Sequence, residues 1–351
     1  MVHWKEFENQ TSDSLAWIAS VIINNDSNNH GLIILTGLQS PREHIGLHLD
    51  GSNAAAAVRT IIAAEAVGVR QIWMTQPPDQ PDILTIFSAA AINTSTVILG
   101  TAIVPTYPRH PLVLAQQALA LYDIAPGRLR LGIGPSHRFI IEEMYGLQHR
   151  SPLTHLREYV EILHAALWEG KVNHHGSFYN VIATLHRTAQ IPVLISTLGE
   201  KAFNLAGQIA DGAITWVCPI PYLKSTGIPI LRTSATAAGR DPPPLVAHVP
   251  VALSEDRSSV LLAGHRLLDF YSKIPFYANM FSNAGFQLIS DQAIPDALVD
   301  NLVISGGENT VSERLTELLS AGPDELVVSL VPTTSKVEEE QTRLMKLIGQ
   351  L

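Results

Sequence analysis

The stretch Thr96–Gly134, TVILGTAIVPTYPRHPLVLAQQALALYDIAPGRLRLGIG, contains one complete unit of the pattern that decides the fold. An apolar run rich in β-branched residues, Thr96–Val104, is followed by a polar turn and by the helical spacing of Val113–Ile124. A second apolar run, Arg128–Gly134, comes next. Apolar strands that alternate with helices are typical of a parallel sheet with helical crossovers. We therefore expect a chain built from repeated strand–helix units.

The same alternation extends in both directions from this stretch. We predict eight strands, at Gly31–Leu38, Val69–Thr75, Thr96–Val104, Arg128–Gly134, Ile191–Thr197, Gly212–Val217, Leu245–Leu253 and Glu325–Val331. The predicted helices are Asn53–Val67, Pro81–Ala91, Val113–Ile124, His155–Trp168, Lys201–Ala210, Arg257–Ala284 and Val311–Ser320. Eight such units favour an α/β fold of the (β/α)8 TIM-barrel type. A doubly wound parallel sheet is the alternative.

The chain has 351 residues, which is longer than the ~250 of a typical barrel. We assign residues 1–30 to an N-terminal extension and residues 31–351 to one barrel domain. Two connections are long: Gly170–Gln190, between the fourth and fifth strands, and an insertion at residues 254–310, between the seventh and eighth. We expect the insertion to cover the barrel mouth, because it is too apolar for a disordered loop. Its aromatic residues are Tyr271, Phe276, Tyr277 and Phe281.

Composition excludes several classes of protein. The chain has 23 basic and 32 acidic residues, a net charge of −9, which argues against binding to nucleic acid or to an anionic membrane surface. The apolar run Leu15–Ile23 is too short to span a bilayer and lacks the features of a secretory signal. A single cysteine, Cys218, cannot form an internal disulfide, and no cluster has the spacing of a metal site. We expect a cytoplasmic protein that acts on a small molecule.

In a TIM barrel the loops after the strands form the active site. The residues just past the predicted strands are therefore the candidates for binding and catalysis. They are Thr36, Thr75, Gln76, the segment from Ala102 to Thr106, the segment from Gly134 to His137, the segment from Ser196 to Gly199, Thr215 and Trp216.

Ser196, Thr197, Leu198 and Gly199 lead directly into a predicted helix. The backbone N–H groups and the dipole at a helix start can bind an anion such as a phosphate. The alternative is an ordinary helix cap with a glycine turn. Because the net charge is −9, an anionic ligand would have to be held by such dipoles and by local cations. The nearby cations are Arg109, Arg138 and Lys201.

The segment GIGPSH, residues 132–137, is a poor match to a dinucleotide-binding fingerprint, because the third glycine is missing and Pro135 lacks an N–H. Gly134 could instead let a flat ligand approach the strand end. His137 would place a titratable imidazole at the mouth. The alternative for His137 is a surface loop residue that caps the next helix. Arg109 could bind a ligand carboxylate or pair with a neighbouring carboxylate such as Asp123.

Five stretches resemble a known family: AEAVGVRQIWMTQ (64–76), LGTAIVPTYPRHPLVLAQQ (99–117), GRLRLGIGPSHR (127–138), Pro152–Glu161 with its REYVE, and Pro192–Trp216, which ends in LAGQIADGAITW. Together they resemble the luciferase-like superfamily of flavin and deazaflavin oxidoreductases, whose fold is a (β/α)8 barrel. The combination of GTAIVPTYPRHP, GIGPSHR and ADGAITW is most similar to the branch that uses coenzyme F420, a 5-deazaflavin. The resemblance weakens after Leu231 and is absent from residues 1–30.

The resemblance implies roles for matched positions. Ala102–Ile103 matches a site where the family often has a non-prolyl cis peptide that presses on the deazaflavin ring. Ser196–Gly199 matches the loop that binds the cofactor phosphate in the family. His137 matches a position where some members have a catalytic acid. Pro77 replaces a histidine that many members carry. The predicted cofactor-binding residues are Thr36, Gln76, Ala102, Ile103, Gly134, Pro135, Ser136, Ser196, Thr197, Leu198 and Gly199.

The function implied is hydride transfer between coenzyme F420 and a small organic substrate. His137 would supply the proton, and Trp73, Thr215 and Trp216 would line the substrate pocket with the aromatic residues of the insertion. The family also implies a homodimer. An FMN-dependent monooxygenase is the first alternative. The second is a barrel that binds the cofactor without catalysis, which the loss of the histidine at Pro77 favours.

Overall fold

The computed structural model describes residues 40–288 and 293–351. Their strands are β1 (Ile45–Leu49), β2 (Gln71–Met74), β3 (Ile98–Thr101), β4 (Val104–Pro105), β5 (Leu129–Gly134), β6 (Lys171–His175), β7 (Asn180–Thr184), β8 (Val193–Ser196), β9 (Gly212–Thr215), β10 (Leu245–Ala252), β11 (Ile304–Ser305) and β12 (Glu325–Leu330).

The helices over the same residues are α1 (Ala54–Ala66), α2 (Ile83–Ile92), α3 (Pro111–Ile124), α4 (Pro152–His164), α5 (Glu200–Ile209), α6 (Ile220–Tyr222), α7 (Ile228–Ala237), α8 (Arg257–Ser272), α9 (Pro275–Asn283), α10 (Asp296–Leu302), α11 (Glu308–Ser320) and α12 (Val337–Gln350). A 3₁₀ turn occupies Pro41–Glu43. Single π-helical turns occupy Ile140–Met144, Ala165–Glu169 and Leu223–Gly227. None of these helices is long and apolar enough to cross a membrane.

Eight parallel strands close into a barrel in the order β1, β2, β3, β5, β8, β9, β10, β12, with β12 pairing again with β1. Helices surround this barrel, so the predicted (β/α)8 TIM-barrel fold is confirmed. Seven of the eight predicted strands coincide with barrel strands to within a few residues.

The first barrel strand differs from the prediction. It is β1, Ile45–Leu49, which pairs with both β2 and β12 and so completes the barrel. The prediction that Gly31–Leu38 supplies the first barrel strand is therefore wrong. That run, the predicted extension 1–30 and Thr36 lie outside the described residues.

Two long segments are also organised differently from the prediction. The predicted helix Arg257–Ala284 is divided into α8 and α9, since Pro275 cannot continue a helix but fits the first position of a new one. The connection Gly170–Gln190 contains an antiparallel hairpin, β6–β7, with Lys171 opposite Thr184. The insertion between β10 and β12 consists of α8, α9, α10, β11 and α11.

The barrel interior is filled around Trp73, which has no exposed surface. A Cβ added at Gly46 on β1 or at Gly100 on β3 would overlap its indole ring, so these glycines make room for it. The interior cluster comprises Trp73, Ala102, Leu194, Ile214, Val246 and Val327. Because strand side chains alternate between faces, the neighbouring residues point outward and pack against the helices.

A polar network closes the barrel at the amino ends of the strands. Glu325 on β12 accepts hydrogen bonds from Arg130 and, at 3.0 Å, from Nε2 of Gln71. Gln71 Oε1 accepts the indole N–H of Trp73 at 3.0 Å. Ligand access is therefore expected at the opposite end, where the strands end and the long insertion begins.

Replacing Glu158 by alanine is expected to release the β6–β7 hairpin. Its carboxylate accepts backbone N–H groups from Ser177 at 2.8 Å, Phe178 at 2.9 Å and Tyr179 at 3.1 Å. Hydrogen bonds to a charged group contribute a net of roughly 1.5–3 kcal/mol each, and water that enters after the substitution would replace part of this for the freed N–H groups. We expect the free energy of unfolding, measured in urea, to fall by about 2–4 kcal/mol. Glu313→Ala, exposed on α11 and remote from the hairpin in the barrel, is the control and should change it by less than about 0.5 kcal/mol.

Candidate active site

One ring of inward-facing side chains surrounds the carboxyl ends of the barrel strands. Side chains alternate between the two faces of a strand, so a residue two positions after an interior residue also faces inward, nearer the mouth. The interior residues that fix this pattern are Gly46, Trp73, Ile214, Val246 and Val327. The residues that follow them by two positions are His48, Thr75, Trp216, His248 and Ser329, joined by Ala102, Gly134 and Ser196 from the other strands. Their contacts confirm that they lie together.

Trp216 lies between two histidines in this ring. Its indole stacks on His248, with ring centroids 3.6 Å apart and planes 9° from parallel. His48 approaches edge-on at 5.1 Å. The indole N–H donates to the hydroxyl of Tyr271, on helix α8 of the insertion, at 2.8 Å. The insertion therefore contacts the mouth and holds Trp216 in place.

His48 and His248 are site residues that the sequence analysis missed. His48 Nε2 lies 3.4 Å from Thr75 Oγ1, and His248 Nε2 lies 2.8 Å from Ser329 Oγ. Burial lowers the pKa of His48 to about 4, although the charge of Asp50 opposes the shift. Burial, together with the nearby His48, lowers the pKa of His248 well below its ordinary value. Both imidazoles are therefore uncharged at neutral pH. Period-two alternation along β1 and β10 is the signal that could have found them.

His137 lies in the loop after β5, against aromatic residues of the insertion. Its ring centroid is 5.9 Å from Tyr277, 6.0 Å from Phe139 and 6.4 Å from Phe270. Burial, with a smaller contribution from the charge of His149, lowers the pKa of His137 to about 4. The structure thus places His137 beside the mouth as a neutral imidazole.

These buried histidines predict a loss of stability in mild acid. For His48, His137 and His155 the pKa falls from 6.5 to about 4 on folding, chiefly by burial. Above pH 6.5 these histidines are uncharged in both the folded and the unfolded chain. Between pH 6.5 and 4 they take up protons in the unfolded chain but not in the folded one. The free energy of unfolding should therefore fall as the pH falls, by up to about 1.4 kcal/mol per pH unit for each histidine.

Urea unfolding at about pH 7.5, 6 and 5 measures this slope. His155→Gln should make the slope shallower, because His155 is buried against Tyr107 at 3.9 Å between ring centroids. The exposed His175→Gln is the control and should leave the slope unchanged. An unchanged slope in both variants would contradict the assignment of His155.

The predicted phosphate loop lies at the mouth, before helix α5. Gly199 is the N-cap of α5, the helix has no side-chain cap, and nothing lies within 4 Å of a Cβ added at Gly199. Ser196 faces inward and packs against Gly134, where any Cβ would overlap the serine hydroxyl. Thr197 instead donates through both its N–H, at 2.8 Å, and its hydroxyl, at 3.3 Å, to the carbonyl of Ile214. Gly199 thus has open space, whereas the donors of Thr197 are already used.

The peptide bond between Ala102 and Ile103 is cis, as the resemblance implies. It separates β3 from β4 at the mouth. The N–H of Ala102 donates to the carbonyl of Met74 at 2.8 Å, and the N–H of Gln76 donates to the carbonyl of Ile103 at 3.3 Å. The turn is therefore fixed to the end of β2.

The side chain of Gln76 points into its own loop rather than toward a ligand. Its amide nitrogen donates to the carbonyl of Pro77 at 3.0 Å, and its oxygen accepts the N–H of Ile83 at 2.8 Å. The predicted cofactor contact would require these bonds to break. Gln76 supports the site through its backbone instead.

Two residues predicted to line the substrate pocket lie elsewhere. Ile214 and Trp216 face the interior, so Thr215 between them faces outward, fully buried, and does not line the mouth. Trp73 lies below the mouth as the floor of the barrel, with no exposed surface. Of the three predicted pocket residues, only Trp216 is partly exposed at the mouth.

Arg109, one of the cations considered for binding an anion, is already paired with a carboxylate. Arg109 pairs with Asp82 at 2.5 Å, whereas Asp123 pairs with Arg187. Pro135 and Ser136 follow β5, and Ser136 has a left-handed backbone with φ 61°. In the described parts of the chain, no group of three or more His, Cys, Asp or Glu residues is arranged to hold a metal ion.

The amino-acid sequence that forms this barrel matches a known family. Residues 33–325 match the luciferase-like monooxygenase family. The chain belongs to this family. It is accordingly an oxidoreductase, as the sequence predicts.

Solved structures with this fold hold different cofactors. The chain is 23% identical over 307 residues to the 5,10-methylenetetrahydromethanopterin reductase of Methanolobus tindarius, covering 82% of this chain and 92% of the relative. An F420-dependent secondary alcohol dehydrogenase, solved with an F420–acetone adduct, superposes with a TM-score of 0.73 at 18% identity, over 87% of this chain and 97% of that one. The oxygenating constituent of the 3,6-diketocamphane monooxygenase of Pseudomonas putida, solved with FMN, superposes with a TM-score of 0.68 at 17% identity. The superposition covers 88% of this chain and 96% of that one. At such identities the structures show the shared fold alone.

Proposed function

We propose that this luciferase-like protein is a coenzyme F420-dependent oxidoreductase that transfers a hydride between the cofactor and a small organic substrate. The observation that carries a phosphate-bearing cofactor is the start of α5, which has no side-chain cap and has open space at Gly199. The relationship to a putative coenzyme F420-dependent oxidoreductase of Mycobacterium tuberculosis, 26% identical over 339 residues, adds support for the deazaflavin.

The residues at the mouth fit an anionic deazaflavin cofactor. The N–H groups at the start of α5 suit a phosphate, and the charges of Glu200 and Lys201 in its first turn balance each other. The cis peptide at Ala102–Ile103 lies at the end of β3, on the same side of the barrel, and would support one face of the ring. When bound, the deazaflavin would supply or accept the hydride.

The remaining chemistry falls to side chains of this chain. His137 would move a proton between the reacting oxygen of the substrate and solvent. Trp216, held by Tyr271 at 2.8 Å, and Tyr277, which is 4% exposed, would exclude water from the reacting atoms. We also propose a homodimer in the cytoplasm, on the resemblance and the composition alone.

An FMN-dependent monooxygenase is the second candidate, favoured by the similarity of the barrel to the FMN-bound monooxygenase of Pseudomonas putida. Its phosphate would bind at the same start of α5, so the phosphate site does not separate the two. The two candidate functions differ in the ring of the cofactor and in the reaction of that ring with oxygen.

Titration of the purified protein with F420 and, separately, with FMN tests the proposal by the fluorescence of each cofactor. We expect F420 to bind at least about tenfold more tightly, a difference of about 1.4 kcal/mol. Tighter FMN binding would favour the monooxygenase. Binding of F420 without hydride exchange to any carbonyl compound would favour a barrel without catalysis.

A further inference from the structure

Aromatic side chains form a wall beside His137 and Trp216 at the mouth. Tyr277 lies 4.8 Å from Tyr271 between ring centroids, and Tyr271 in turn holds Trp216. Phe270 and Phe139 lie 6.1 Å apart and both approach His137. This wall, defined by Phe139, Trp216, Phe270, Tyr271 and Tyr277, offers ring faces and hydroxyl groups but no charge. Burial raises the pKa of both Tyr271 and Tyr277, so the two hydroxyls stay protonated.

Two cations near this aromatic wall are already paired with carboxylates, and one carboxylate has no cation. Arg138, which follows His137, lies 3.8 Å from the carboxylate of Glu142. Lys273, which follows α8, lies 2.7 Å from the carboxylate of Asp269. Asp50, after β1, accepts hydrogen bonds from Ser52 and has no cation among its described ion-pair partners. These five groups sum to one negative charge, which disfavours an anionic substrate.

We propose that the organic substrate is an uncharged carbonyl compound with an apolar ring or chain, or the alcohol formed from it. This inference rests on the proposed function and specifies its substrate class. Reduction would add a hydride, supplied by the reduced cofactor, to the carbonyl carbon and a proton, drawn from water through His137, to the oxygen. Neutral imidazoles at His48 and His137 and tyrosine hydroxyls suit a carbonyl or hydroxyl group, whereas a buried carboxylate would lack a cation.

A matched pair of probes tests this proposal. Cyclohexanone and 4-oxocyclohexane-1-carboxylate share the ring and the ketone and differ in one charge. We expect the neutral ketone to bind at least about tenfold more tightly by calorimetry, because the carboxylate would be desolvated without a partner. Reduction by F420 in its reduced form should show at least the same preference in kcat/KM.

Freeing a cation at the rim should weaken this preference. Glu142→Gln leaves Arg138 without its carboxylate, and we expect binding of the keto acid to improve by roughly three- to tenfold at low salt and to lose this gain at high salt. Asp123→Asn is the matched control. It frees Arg187 from an exposed ion pair at the end of α3, which lies toward the amino ends of the strands. We expect this variant to leave the binding of both probes unchanged.

The outcomes are distinct. Equal or tighter binding of the keto acid to the wild-type protein would overturn the proposal, and so would failure of both probes to bind the F420-loaded protein at millimolar concentration. Calorimetry is also carried out without cofactor. Failure to bind F420 would therefore contradict the proposed function, while the preference between the two probes would still be measured.

Discussion

Gly199→Val is expected to weaken binding of the cofactor by roughly 100-fold, which corresponds to about 2.7 kcal/mol. The valine side chain would occupy the open space at the start of α5, where nothing lies within 4 Å of a Cβ. An anion could then no longer approach the N–H groups of the first turn, whose charge-assisted bonds contribute roughly 1.5–3 kcal/mol each. Fluorescence titration with F420 measures the dissociation constant.

The fold should tolerate this substitution. Gly199 has φ −100° and ψ 160°, an extended conformation that valine adopts readily. Loss of glycine at an N-cap costs up to roughly 1 kcal/mol of stability, so the protein should remain folded at room temperature. A normal dissociation constant in a folded variant would exclude this phosphate site.

Gly307→Val provides the matched control. Gly307 is also an N-cap glycine with an extended backbone and no side-chain cap, at the start of α11. A Cβ there meets only the carboxylate of Glu255, at 3.2 Å, which is exposed and can move. This variant should lose similar stability but bind F420 normally. Equal weakening in both variants would indicate a general effect of valine at a helix start.

The sequence predicts the barrel well where strands are long, apolar and followed by a clear helix. Thr96–Val104 and Leu245–Leu253 are such runs, and both contain barrel strands. β1 is not predicted in this way, because Ile45–Leu49 has only five residues and two of them, Gly46 and His48 on its inward face, are not typical of an apolar strand. Gly31–Leu38 is longer and more apolar, so periodicity favours it. Only the pairing of β1 with β2 and β12 decides the matter.

The candidate site was only partly predictable for a related reason. A motif shows which residues follow a strand, but not which face they take. Thr215 and Trp216 are adjacent in sequence, yet one is buried outward and the other faces the mouth. Gln76 follows β2 as predicted, but its amide groups satisfy the backbone of a proline-rich loop. His248 lies within an otherwise apolar strand, where its inward direction depends on the register with β12.

His137→Gln is expected to lower turnover by about 10²–10⁴-fold, the usual contribution of an aligned acid or base. Glutamine has a similar reach and can donate a hydrogen bond, but it cannot carry a proton to or from the substrate. His137 packs against Tyr277 and Phe139 rather than beside Gly199, so the dissociation constant of F420 should change by less than about threefold. Unchanged turnover would reject His137 as the proton carrier.

The pH dependence separates a proton carrier from a packing residue. Because the pKa of His137 is about 4, only a small fraction of the imidazole is protonated at neutral pH. If carbonyl reduction requires the imidazolium, kcat/KM should rise about tenfold for each pH unit between about pH 7.5 and 5.5, since the protonated fraction rises by that factor. His137→Gln should be flat over this range. A profile in the variant that is parallel to the wild type would show that another group titrates, and His149, whose pKa is also lowered by burial, is the next to replace.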